Sequence, residues 1–123
     1  MIEFLFYILG IYYIGFAVFH CFFWKIFNWR NDLRKISRAN AAILQIANIQ
    51  LIFYFIGMGL VFFYFNKVLP KSEVGYFTIC FGLGFWLVRF LNQFIFLRMK
   101  SKIVHSLSLI FFIGIVLHIL VLL

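Results

Sequence analysis

The sequence predicts an all-α protein embedded in a membrane: a four-helix bundle, up-down-up-down, with both termini on the non-cytoplasmic side. Three observations carry this expectation. The 123 residues are 67% hydrophobic and only 11% charged, whereas soluble domains run nearer half apolar and a quarter charged. Four apolar stretches are each long enough to cross a bilayer as a helix, which takes about 20 residues. The basic residues collect in the links between those stretches, which orients the chain. A mean hydropathy of +1.12 and 20 phenylalanines with a single proline exclude intrinsic disorder. Two cysteines without polar loops exclude a disulfide scaffold. The net charge of +8 does not indicate nucleic acid as a partner, because the cations stand in short blocks beside apolar runs.

The first span covers about 4–24 and carries no formal charge. A cleaved signal would open on basic residues and end on small ones. This run follows Met-Ile-Glu and ends Phe-Phe-Trp-Lys, so it is expected to stay in the protein. The link 25–38 holds Lys25, Arg30, Arg34, Lys35 and Arg38 against Asp32. Within it Ile26, Trp29, Leu33 and Ile36 recur at helical spacing, which predicts an amphipathic helix. It either extends the first span or lies among the headgroups, where Trp, Lys and Arg are the usual anchors. Asn28 is a candidate cap for such a helix, and Ser37 or Asn40 for the next.

The second span covers about 41–65, opened by Asn40, Gln45, Asn48 and Gln50. A short link with Lys67, Pro70 and Lys71 follows, and Ser72 is placed to cap the third span at 74–97. The link 98–102 carries Arg98, Lys100 and Lys102, and the fourth span covers 103–123. Both basic links therefore belong on the cytoplasmic side, in a bacterial inner membrane or an equivalent one. Short connections make chain neighbours antiparallel. Gly10, Gly15, Ala17, Gly57, Gly59, Gly75, Gly82, Gly84 and Gly114 mark places where helices can approach, without a clean small-xxx-small pattern. Cys21 and Cys80 fall in different halves of the bilayer and are expected to be unpaired, buried thiols.

The residues that point to function are polar ones at hydrocarbon depth. Counting about 1.5 Å per helical residue from the nearest cytoplasmic charge, His20 and Gln93 lie about 8 Å in, and His105 about 5 Å. On the same scale Ser108 and Gln45 lie about 9 and 10 Å in, and Arg89 and Asn48 about 14 and 15 Å. All four spans thus contribute to one polar stratum in the cytoplasmic half. The groups are also in register: Gln45 with Asn48, Arg89 with Asn92 and Gln93, His105 with Ser108, and Tyr13, Phe16, His20 and Trp24 along one stripe. Unpaired polar groups in hydrocarbon cost several kcal/mol, so these stripes should face protein rather than lipid. Arg89 stays charged and no span contains an acidic residue. Its partners are expected to be neutral: Asn48, Gln45, a tyrosine or backbone carbonyls. The alternative is a group from outside the chain.

Three functions follow from this pattern. One is a non-enzymatic bundle whose polar pocket, centred on Arg89, takes a lipid headgroup, a quinone or a carboxylate, or docks a partner subunit of a larger complex. Gln93, Asn92, Gln45, Asn48, His20, His105 and Ser108 would complete that pocket. The second is a homo-oligomeric channel or transporter with Arg89 at an anion-selecting constriction. The third is a redox module, with haem or quinone held by His20 and His105. No zinc-ligand spacing and no hydrolase or phosphate-loop motif is present. His118, near the outer end of the last span, is expected at the interface.

Overall fold

The computed structural model describes all residues, Met1–Leu123. The chain is all-α, with four helices long and apolar enough to cross a membrane. Helix α1 spans Ile2–Cys21; two single turns follow, α2 at Phe23–Ile26 and α3 at Trp29–Asp32. Helix α4 spans Arg38–Tyr64, α5 Glu73–Phe96 and α6 Lys102–Leu122. The four long helices match the expected spans to within a turn. Large apolar side chains stay exposed along each of them, including Ile11, Phe53, Phe77 and Leu109. Such surfaces are stable against lipid tails and would be costly in water.

The chain forms two compact units, Gly10–Tyr64 and Met1–Leu9 with Phe65–Leu123, so the boundary falls inside α1. In the first unit α1 and α4 run antiparallel, because partners along α1 rise in number as those along α4 fall. Tyr13 meets Phe62 at 5.3 Å between ring centroids, Phe16 meets Phe55 at 5.6 Å, and His20 meets Asn48. The helices fit tightly at two glycines. A Cβ on Gly10 would lie 2.5 Å from the Phe63 ring, and one on Gly59 would lie 2.7 Å from Ile14 and 3.2 Å from the Gly10 carbonyl oxygen. Of the glycines on α1 and α4, Gly10 and Gly59 meet the facing helix, while Gly15 and Gly57 look onto open space, as does Gly84 on α5.

The amphipathic helix expected over 26–36 does not form as one element. Asn28 adopts the left-handed conformation, with φ 51°, and breaks the helix. Asparagine tolerates this better than most residues. The chain folds back, setting Trp29 5.6 Å from both Phe23 and Trp24. A 3-10 turn at Leu33–Lys35 and an extended Ile36 lead into α4. Ser37 caps α4 as expected, its Oγ accepting the Asn40 N–H at 3.2 Å. Cys21 is exposed rather than buried, and both cysteines are free.

In the second unit a 3-10 turn at Leu69–Lys71 leads to Ser72, whose Oγ accepts the Gly75 N–H at 3.0 Å and caps α5. Gly75 packs directly on the Leu69 backbone, with no room for a Cβ. Helices α5 and α6 run antiparallel, with Trp86 stacked on Phe111 at 5.9 Å and Gln93 reaching Val104. Phe6 and Leu9, from the segment Met1–Leu9, are fully buried. His118 is also fully buried, with its Nδ1 2.7 Å from the Gly114 carbonyl oxygen, rather than interfacial as its position near a helix end suggested. A local carbonyl partners Nδ1, which lessens the ring's need for the water interface.

Candidate functional site

Six of the eight polar residues singled out from the sequence form two networks, one within each unit. In the α1–α4 pair, the Asn48 Nδ2 donates to the His20 carbonyl at 2.9 Å, and its Oδ1 lies 2.7 Å from the His20 Nδ1. A carbonyl can only accept, so the first bond orients the amide, and the second then requires Nδ1 to carry the proton. The His20 ring stacks on Phe23 at 4.1 Å. One turn closer to the helix start, the Gln45 Oε1 accepts from the Trp24 indole at 3.0 Å, while its Nε2 donates to the Ala41 carbonyl. The stripe Tyr13, Phe16, His20 and Trp24 therefore faces α4, as its spacing predicts. Each amide is used at both ends, which makes this network an interhelical clamp.

The second network is built on Arg89. Its Nη1 donates to the Gln93 Oε1 at 2.9 Å, and its guanidinium carbon lies 4.4 Å from the Phe111 ring centroid. Gln93, almost wholly buried, passes the contact on by donating to the Val104 carbonyl of α6 at 3.1 Å. Ser108 donates to the same carbonyl at 3.0 Å. The neutral partner of Arg89 is thus Gln93, one turn along its own helix, with an aromatic face in support. Gln45 and Asn48, which belong to the other unit, have their polar atoms engaged by Trp24 and His20. A cation over an aromatic face contributes about 2 kcal/mol when desolvated. No carboxylate neutralises Arg89 within the chain: the only salt bridge joins Lys35 and Asp32, both exposed.

Beside this network, where α5 ends and α6 begins, lies a cleft of about 170 Å³. Gln93 and Ser108 line it together with Arg98, Lys100 and His105, and Phe94, Leu97, Met99 and Val104 supply apolar walls. Arg89 does not line the cleft and is linked to it through Gln93. The cleft of this unit therefore centres nearer the helix ends than the position of Arg89 implies. His105 is exposed, and Asn92, half-buried, takes no part in the network. Of the expected pocket residues, Arg89, Gln93 and Ser108 are joined by hydrogen bonds and His105 lines the adjoining cleft. Gln45, Asn48 and His20 belong to the other network.

Sequence reasoning missed Phe111 and the Val104 carbonyl, and it read Arg98 and Lys100 only as topogenic charges. The spacing of Arg89 and Gln93 contains the first bond of the network. Nothing in the order of α6 marks Phe111 among its many apolar neighbours as the residue beneath the guanidinium. No family model, no curated protein and no solved structure matches the chain, so its role has to be read from these residues themselves.

Proposed function

We propose that this is a non-enzymatic integral membrane protein that holds an anionic or polar group at the basic end of its α5–α6 hairpin. The two basic links lie on the cytoplasmic side and both termini on the other. The observation that carries the reading is Arg89: a half-buried permanent cation bonded to one amide and one aromatic face, with no acidic partner. A charge held in an apolar helix pair is costly unless compensated, and intramembrane arginines usually mark ligand or partner sites. The adjoining cleft adds Arg98, Lys100 and His105 and contains no acidic side chain. Its surroundings favour negative charge, and Arg89 strengthens that preference from behind Gln93.

Native mass spectrometry of the intact protein from a mild detergent tests this directly. The wild type should carry an anionic adduct that Arg89→Met loses while keeping its helical circular dichroism. Arg89→Lys, which preserves the charge but not the guanidinium fork, should retain part of it. An Arg89→Met variant that is folded and carries the same adduct at the same occupancy rejects the proposal.

A further inference from the structure

We infer that the anion held at the α5–α6 cleft is the phosphate of a membrane phospholipid with a net negative headgroup, bound by Arg98, Lys100 and His105 with its acyl chains on the neighbouring apolar walls. This rests on the anion-site reading above and names its ligand. Four features select a lipid over a soluble anion. The cleft is amphipathic: its cationic residues stand beside Phe94, Met99 and Leu97, the first two of which are largely exposed. A hydrated small anion gains nothing from such walls, whereas a phospholipid matches both halves at once. The position also fits. The cleft sits at the basic link where one candidate membrane span ends and the next begins, the kind of segment that faces the headgroups.

Size narrows the ligand further. At about 170 Å³ the cleft is smaller than the pockets, about 300 Å³ and above, that enclose a drug-sized molecule. It suits a headgroup whose tails remain outside and does not suit an engulfed ring system. The cations, finally, are available. Arg98 is bonded only through its Nε, to the Phe94 carbonyl at 3.2 Å, which leaves the terminal guanidinium nitrogens for phosphate. Lys100 makes no ion pair. An arginine fork and a lysine point charge are the usual phosphate donors. The buried Gln93, held by Arg89 on one side and Val104 on the other, forms a rigid polar backing for them.

The experiment uses the full chain, delipidated in mild detergent and then titrated with phosphatidylglycerol, phosphatidylcholine or inorganic phosphate under native mass spectrometry. Phosphatidylglycerol should bind with defined stoichiometry and phosphatidylcholine should not. Arg98→Ala/Lys100→Ala should weaken phosphatidylglycerol roughly 30-fold, the effect of removing two cations at an anionic bilayer surface. Lys100→Ala alone, which breaks no bond within the chain, should weaken it about fivefold. Lys67→Ala/Lys71→Ala, the same charge change at the other end of α5, should leave it unaltered. Unchanged binding in the Arg98/Lys100 variant overturns the inference. So does inorganic phosphate that displaces phosphatidylglycerol at equal occupancy, although the anion site itself would then stand. If Arg89→Met also leaves every anion bound, the wider reading falls with it.

Discussion

Asn48 shows how much a single amide can settle between two helices. Its donor and acceptor are both used by His20, which fixes the ring tautomer and the rotation of α1 against α4. Interhelical bonds of this kind contribute about 0.6 kcal/mol on average and up to about 1.7. Asn48→Ala removes two of them and leaves a ring N–H and a carbonyl without those partners. It should lower unfolding stability in detergent by about 1–2 kcal/mol, read by chemical denaturation. Gly75 makes a comparable point by absence. The Leu69 backbone occupies the space of its missing side chain, and backbone cannot swing aside as a side-chain tip can. Gly75→Ala should cost about 1–3 kcal/mol. Gly84→Ala, which meets nothing, should be neutral or stabilising by up to about 1 kcal/mol through helix propensity. Equal melting temperatures for the two alanine variants would contradict this account. Sequence spacing placed Gln45 with Asn48, and Arg89 with Gln93, on shared faces. It could not say that the first pair answers to His20 and Trp24 while the second answers to α6. That choice depends on helix rotation, which no local pattern sets.

The long helices are recoverable from the chain because their causes are local. Apolar length, a capping serine at each of two starts and basic residues at the breaks all act within a few residues of where they stand. Ser72 is one such cause; Ser72→Ala should cost about 1 kcal/mol by freeing the Gly75 N–H, measured as a fall in melting temperature. The link after α1 failed as a prediction for an equally specific reason. Its apolar spacing is helical, but Asn28 in the left-handed conformation divides it into two turns and sets Trp29 edge-on to Phe23 and Trp24. Periodicity measures which face a residue would share if the helix continued, and it is blind to a single backbone reversal. The α1–α4 contact adds a test at this scale. Gly59→Val should separate the helices at the Gly10 carbonyl and cost about 1–3 kcal/mol, while Gly57→Val, facing open space, should be tolerated. If both valines express and melt alike, the close approach is not what holds this pair.

For the molecule as a whole, the proposed orientation follows from charge. In a background with Cys21 and Cys80 replaced by alanine, single cysteines at Asn31 and Lys67 should differ toward a membrane-impermeant maleimide. Lys67→Cys should label on intact cells, and Asn31→Cys only after permeabilisation. Labelling of both, or the reverse order, rejects the orientation.

Composition and order alone determined that this chain has four helices long and apolar enough to cross a membrane, and where most of those helices begin and end. Hydropathy and capping are short-range properties, summed along the chain without reference to what packs on it. The tertiary structure decided which polar group meets which. It placed Phe111 beneath Arg89, buried His118 against the Gly114 carbonyl, chose Gly10 and Gly59 for contact, and set Arg98 and Lys100 around a cleft. A polar stripe marks which side of a helix faces protein but not which neighbour answers it, so the pairing of these helices is written only in the packing itself.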